Sequence, residues 1–251
     1  MNNQEILTCV DEMVEKWGDI LVPIYTEKEF HNDSIFLLGT GFLVSFEGVI
    51  YLVTALHVLD EQEGKTLIIR IGDKGAVLSK MEFLVSREHD IAISKLNKSW
   101  ADEHGIGKVK AIPIDDKKAD YSPLGRYFLI GFPGKKNILH LRHGNRNWNI
   151  QGTSFIRKID KPQSKSHVDD PIAFEFDKKN AIYTDGKKAN PPNFNGNSGG
   201  PILELVVKND SLNHEIIGCK LSGIFTGWHK VEKEAVAVKP DYLIGLILHM
   251  D

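Results

Sequence analysis

Residues 34–58 read SIFLLGTGFLVSFEGVIYLVTALHV. Two runs of branched and aromatic residues flank Glu47-Gly48, a turn pair, so the stretch predicts two neighbouring strands. The same pattern continues on either side. ILVPIYT (20–26), TLIIRIG (66–72), AVLSKMEFLV (76–85) and DIAISKL (90–96) follow it in the first half. YFLIGF (127–132), NWNIQGTSFI (147–156), PIAFEF (171–176), PILELVV (201–207) and EIIGCKLSGIFTGW (215–228) follow it in the second, with Asn209 to His214 as a hairpin loop. Short strands at this spacing, without intervening helices, predict an all-β sandwich or a pair of barrels.

Helical periodicity is confined to the two ends. Ile6, Val10, Met13 and Trp17 fall on one face with Leu7 and Val14 beside it, and Gly18 stops the run. This predicts a helix packed on the outside of the domain, with a partner-binding helix as the alternative. Pro240-Asp241 opens a closing helix of about ten residues. The polar residues 97–118 read as a link between two halves.

Composition is that of an ordinary globular chain. Of 251 residues, 41% are hydrophobic and 26% charged, enough apolar material for one large domain or two tightly packed small ones. A net charge of −3 gives no general attraction to nucleic acid or anionic lipid. Lys135, Lys136, Arg142, His143, Arg146 and Trp148 make a basic stretch that reads as a solvated loop. The start, MNNQEILTCVDEMVEKW, carries acidic residues where a secretory signal needs basic ones, and no apolar run reaches the ~18 residues of a membrane span. The cytoplasm is the expected compartment. There Cys9 and Cys219 are expected as reduced thiols, and no Cys/His spacing suggests a metal site.

Three short motifs carry chemistry. In Gly196-Asn197-Ser198-Gly199-Gly200-Pro201, a serine sits among glycines. A serine hydroxyl needs a base, backbone N–H groups aimed at the developing oxyanion, and a backbone that substrate can approach. Glycines permit the last two. Thr54-Ala55-Leu56-His57 places a histidine at the end of an apolar strand, and His89-Asp90-Ile91-Ala92-Ile93 places an aspartate at the mouth of another.

In this order the motifs resemble T-A-x-H, D-[IL]-A-[ILV] and G-[DN]-S-G-G-P of the trypsin-like peptidase family. Gly131-Phe132-Pro133-Gly134 and the ending AVAVKPDYLIGLI (235–247) add to the likeness. The resemblance implies two packed antiparallel six-stranded β-barrels of chymotrypsin-like type, with N- and C-terminal helices. It divides a single peptidase domain into a helix (1–18), a first barrel (19–110), a second barrel (111–238) and a closing helix (239–251). It further implies a serine endopeptidase with Ser198 as nucleophile, His57 as general base and Asp90 orienting it. Gly196 and Ser198 would supply the oxyanion hole, and no metal or organic cofactor would be needed. Asp102, in a polar stretch with no strand after it, is rejected as the acid. Ser222–Trp228 resembles the strand that pairs with substrate, so Thr226, Gly227 and Trp228 would contact it, with Thr226 also bonding Asp90.

Two departures refine the expectation. Asn197 stands where secreted members carry an aspartate, which argues against activation by a cut N-terminus. The pattern is closer to high-temperature-requirement and other intracellular bacterial relatives, without their PDZ domains. Pro192 stands six positions before Ser198, where trypsin has an acid, which predicts a small or apolar residue on the acyl side. Polypeptide substrate is expected, along with restraint by a protein partner or a disordered cleft. A silent peptide-binding scaffold of the same fold is the alternative. Gly196–Gly200 also fits the nucleophile elbow of α/β-hydrolases, with Asp241 and His249 downstream, but that elbow needs a helix after the serine.

Overall fold

The Glu47-Gly48 pair adopts φ +48° and +79°, the two positive values of a tight hairpin turn. Phe46 therefore faces Val49, and the strands Ser34–Phe46 and Val49–Ala55 pair antiparallel in unbroken register up to Phe42–Val53. The computed structural model describes residues 3–27, 34–60, 66–71, 74–78, 81–103, 111–114, 121–134, 137, 139–140, 149–155, 157–159, 161–177, 194–208 and 216–250.

Along the chain the strands are β1 (Leu21–Glu27), β2 (Ser34–Phe46), β3 (Val49–Ala55), β4 (Leu67–Ile71), β5 (Lys74–Val77), β6 (Leu84–Ser86), β7 (Ile91–Lys95) and β8 (Ile112–Pro113). They continue as β9 (Tyr121–Gly131), β10 (Leu139–His140), β11 (Gln151–Phe155), β12 (Arg157–Ile159), β13 (Ile172–Glu175), β14 (Pro201–Lys208), β15 (Ile216–His229) and β16 (Glu234–Val238). The helices are α1 (Asn3–Trp17), α2 (Leu56–Asp60), α3 (Lys98–Glu103) and α4 (Pro240–Leu248), with a 3₁₀ turn at Gly18–Ile20.

The strands form two curled sheets. The first runs β5-β4-β1-β2-β3-β7-β6, with β8 and β10 also pairing on β2; the second runs β11-β9-β14-β15-β16-β13-β12. All ladders are antiparallel except β2–β8, which is parallel. The architecture is the expected all-β one, a chymotrypsin-like pair of half-barrels. The described strands number nine and seven rather than six and six. Two of the three extra strands in the first sheet are β8 and β10, two-residue strands contributed from beyond residue 110. The run 76–85 does not make one strand but separates into β5 and β6. The expected link 97–118 contains α3 and β8, and Asn97 Oδ1 caps α3 by accepting the Trp100 N–H at 2.7 Å.

A shared core joins the sheets. Phe42, Leu52 and Ile93 of the first pack in one cluster with Phe128, Leu203 and Ile224 of the second. A second cluster, Phe155, Phe174, Phe176, Phe194 and Phe225, belongs to the second sheet alone. Of the apolar face expected for α1, Val10, Met13 and Trp17 are buried, and the side chains of Ile6 and Leu7 lie outside the described residues. The helix lies on β11, where a Cβ at Gly152 would come within 2.7 Å of Val14 Cγ2. Pro240 opens α4 as the sequence indicates. Among the described residues no helix is long and apolar enough to cross a membrane.

Candidate active site

Where the two sheets meet, one threonine on β2 makes four buried links. Thr40 N–H donates to the Ser198 carbonyl at 2.8 Å, and Thr40 Oγ1 donates to the Gly196 carbonyl at 2.7 Å. That hydroxyl also accepts the Phe132 N–H at 3.1 Å, and Thr54 Oγ1 donates to the Thr40 carbonyl at 3.0 Å. The turn bearing Ser198 is thereby tied to β2, to β3 and to the end of β9. Glycines allow the approach. A Cβ at Gly199 would lie 2.3 Å from both the Thr40 carbonyl oxygen and Thr54 Oγ1, and 2.7 Å from Ala55 N. A Cβ at Gly39 would meet both Val58 methyls at 2.6 Å and the Ser198 carbonyl oxygen at 2.9 Å. The Ser198 turn thus packs against Thr54 and Ala55, just before His57, while Gly39, beside the Ser198 carbonyl, packs on Val58 just after it.

Within the turn the amides alternate in use. Asn197, Gly199 and Gly200 N–H groups donate to Phe194, Phe225 and Asn197 carbonyls at 2.9, 2.7 and 2.8 Å. Among the described residues, those of Gly196 and Ser198 have no acceptor. The Asn195 carbonyl is held by the Gly134 N–H at 2.8 Å. Because the 195–196 peptide is planar and trans, this points the Gly196 N–H the opposite way. The turn needs φ +87° at Gly196 and +83° at Gly199, values costly for other residues.

His57 does not end the strand as its sequence context suggests. β3 stops at Ala55, and His57 lies in the first turn of α2. Asp90 at the start of β7 holds it through three contacts. Asp90 Oδ2 lies 2.7 Å from His57 Nδ1, Oδ1 accepts the His57 backbone N–H at 2.8 Å, and the Asp90 carbonyl accepts the Leu56 N–H at 3.0 Å. Asp90 is only 3% exposed. Burial pushes its carboxyl up. The hydrogen bonds and charge of His57, with a bond from His167, outweigh this and hold it below the ordinary 3.8.

His167 was not found by sequence reasoning. Its Nε2 lies 3.1 Å from Asp90 Oδ2, the oxygen that also meets His57, and the two imidazoles stand edge-to-face with centroids 6.1 Å apart. The segment carrying it is anchored at both ends. Gln163 and Ser164 N–H groups bond the buried Glu234 carboxylate at 2.9–3.1 Å. Beyond His167, Asp169 N–H donates to the Glu88 carbonyl at 2.9 Å, and Asp170 takes bonds from Lys239 and Tyr242. Val168 is buried and its N–H closes on Ser166 Oγ at 3.0 Å. One ligand atom each from His57, Asp90 and His167 lies within 4.8 Å of the others, a set able to hold a metal ion.

The remaining sequence candidates separate. Thr226 does not bond Asp90: its hydroxyl donates to the Val236 carbonyl at 3.2 Å. It is the extra residue of a β-bulge between Phe225 and Gly227, which turns its side chain into the core. The place expected for Thr226 on Asp90 is taken by His167. Gly227 faces open space, and Trp228 packs on Phe194 with centroids 5.3 Å apart. Asp102 is exposed on α3. The α/β-hydrolase elbow is overturned, because Ser198 is followed by strand β14, not a helix. Cys9 and Cys219 are free, and burial pushes the Cys219 thiol up to about 12 despite Lys16 and Trp17, so it is not a nucleophile at neutral pH. Pro192 and the basic stretch 135–148 lie outside the described residues, apart from Asn137 and β10.

Residues 39–206 match the family model described as a trypsin-like peptidase domain, well over half of the chain. The chain belongs to the trypsin-like peptidase family. No curated protein matches it. Among solved structures it is similar to the MamO protease domain from Magnetospirillum magneticum, at TM-score 0.50 and 14% identity over 92% of this chain and 96% of that one. It is also similar to the serine endoprotease from Yersinia pestis, at TM-score 0.49 and 17% identity over 96% of this chain. The match spans 65% of the length of that endoprotease. At these identities the likeness concerns the fold.

Two outcomes follow from the geometry. Thr40→Val leaves the Phe132 N–H and the Gly196 carbonyl buried without this partner, and should cost about 2–4 kcal/mol in urea unfolding. Thr40→Ser should recover most of it; equal losses in both variants would mean the hydroxyl is not the link. The second outcome concerns acid. Because the folded pKa of Asp90 lies below the unfolded value, its ionised form stabilises the fold above about pH 4. That contribution is lost as pH falls through the folded value. Asp90→Asn should therefore flatten the acid limb of stability against pH; an unchanged limb contradicts the assignment.

Proposed function

We propose that the chain is a serine endopeptidase acting through Ser198, His57 and Asp90. The observation that carries this reading is the pair of N–H groups at Gly196 and Ser198 that have no acceptor among the described residues, on a turn packed against Thr54 and Ala55, just before the His57 that Asp90 holds. In the proposed reaction Ser198 Oγ attacks the scissile carbonyl carbon, and its proton passes to His57 Nε2. Asp90 holds the imidazole with its proton on Nδ1 and stabilises the cation that forms. The two N–H groups receive the oxyanion. The same proton then leaves with the amine as the C–N bond breaks, and water releases the acyl group by the reverse sequence. An extended polypeptide would pair along β15 at Gly227–His229, beyond the end of β14 at Ile224, where only β16 is paired among the described residues.

A fluorophosphonate probe should label the wild-type chain once, at Ser198. Ser198→Ala should abolish labelling and cut kcat for peptide hydrolysis by on the order of a million-fold. No labelling of folded wild type would favour a silent peptide-binding protein of the same fold, and labelling of Ser198→Ala would move the nucleophile elsewhere. kcat/KM should fall in acid, as the imidazole of His57 takes up the proton that blocks it as a base. Asp90 stays ionised throughout, because its carboxyl is held below the ordinary range. A flat profile between about pH 5 and 8 would remove His57 as the base.

A further inference from the structure

A hydroxyl, as expected of Thr226, would serve as the second donor to Asp90, and an imidazole is not required. His167 nevertheless lies 3.1 Å from Asp90 Oδ2, on a segment pinned on one side by Glu234 and on the other by Glu88, Lys239 and Tyr242. We propose that His57, Asp90 and His167 form an inhibitory zinc site, in which the metal silences the peptidase by capturing its base. The proposal rests on the catalytic roles given above to His57 and Asp90.

The donor set is the one zinc takes. Two imidazole nitrogens and a carboxylate oxygen, with water in the fourth position, satisfy a tetrahedral Zn²⁺. Zinc–ligand bonds of about 2.0–2.1 Å put neighbouring ligand atoms roughly 3.3 Å apart. Here Nδ1 of His57 and Nε2 of His167 stand 2.7 and 3.1 Å from Asp90 Oδ2, and all three atoms fall within 4.8 Å. Small side-chain rotations convert the hydrogen-bonded cluster to a coordinated one. The other oxygen of Asp90 is oriented by the His57 backbone N–H at 2.8 Å. Entry is open, since the His167 side chain is 62% exposed.

The consequence for catalysis comes from the tautomer. A neutral imidazole has one proton. Metal bound at Nδ1 of His57 leaves that proton on Nε2, the nitrogen that must be bare to accept from Ser198. The ion also takes the Asp90 carboxylate that would stabilise the imidazolium. Zinc binding and peptide hydrolysis therefore exclude one another. Positions 57, 90 and 167 show no metal-binding spacing in sequence, so the sequence gives no sign of such a site.

Titration of the full-length Ser198→Ala chain with zinc chloride by calorimetry tests binding without relying on catalysis. One zinc per chain should bind. His167→Ala, introduced into that background, should weaken binding by about 100-fold, and His167→Gln, which retains a hydrogen-bond donor for Asp90, should do the same. In the active enzyme zinc should inhibit reversibly, with chelator restoring the rate. The half-inhibiting concentration should rise by a similar factor in both His167 variants, each compared with its own zinc-free rate. Absence of zinc binding to folded Ser198→Ala would overturn the proposal. So would binding or inhibition unchanged in folded His167 variants, which would place the metal elsewhere. Either result leaves the peptidase assignment standing, whereas failure of probe labelling would leave the calorimetry readable.

Discussion

A single buried hydroxyl, that of Thr40, holds the two sheets in the one alignment the site requires. It donates to the Gly196 carbonyl and accepts from Phe132, while the backbone of the same residue binds Ser198 and Thr54. Three distant parts of the chain meet at this residue. The partners are all backbone groups or buried side chains, so losing one leaves a polar group unsatisfied in a dry environment, the costly direction of change. The Ser198 turn is consequently held from below by the first sheet although it belongs to the second. In the proposed mechanism the nucleophile stands on one half and the base on the other, and the bonds of Thr40 span the gap.

Asp90 performs the corresponding task on the first sheet. It adopts φ +52°, an uncommon conformation for a residue with a Cβ, though aspartate is among those that tolerate it. In return both carboxylate oxygens and the backbone carbonyl turn toward α2, where they hold His57 and Leu56. The conformational cost is local, and the benefit is an imidazole fixed in position and tautomer. The turn that carries Asp90 is itself braced. His89 stacks on Tyr242 of α4 at 3.6 Å, and Tyr242 also bonds Asp170 at 2.8 Å. The closing helix, remote in sequence, thereby supports the acid and the segment bearing His167 together.

Much of this was legible because it depends on residue type at short range. The Glu47-Gly48 hairpin, the apolar stripe of α1 and Pro240 at the head of α4 each follow from local conformational preference. The three motifs that carry the family resemblance are recognisable because few residues can do the work proposed for them. The failures are long-range. Thr40 looks like any strand threonine, and its bond to Gly196 spans 156 residues. The only local sign was its position between Gly39 and Gly41, the first of which has no room for a Cβ. His167 lies in a polar segment without periodicity, and nothing there indicates a carboxylate 77 positions earlier. Thr226 was misplaced because a β-bulge shifts side-chain direction by one residue, which alternation alone does not reveal. The added strands β8 and β10 were illegible for a similar reason, since two-residue strands leave no pattern.

The account is tested most directly by a crystal structure of the chain with a phosphonate covalently bound. The adduct should sit on Ser198 Oγ, with one phosphonyl oxygen within about 2.7–3.1 Å of both the Gly196 and Ser198 nitrogens and His57 Nε2 facing the adduct. Thr40 should still bridge Gly196 and Phe132. A phosphonate on another residue, or an oxygen that meets neither nitrogen while the turn keeps its bonds to Thr40, would contradict it.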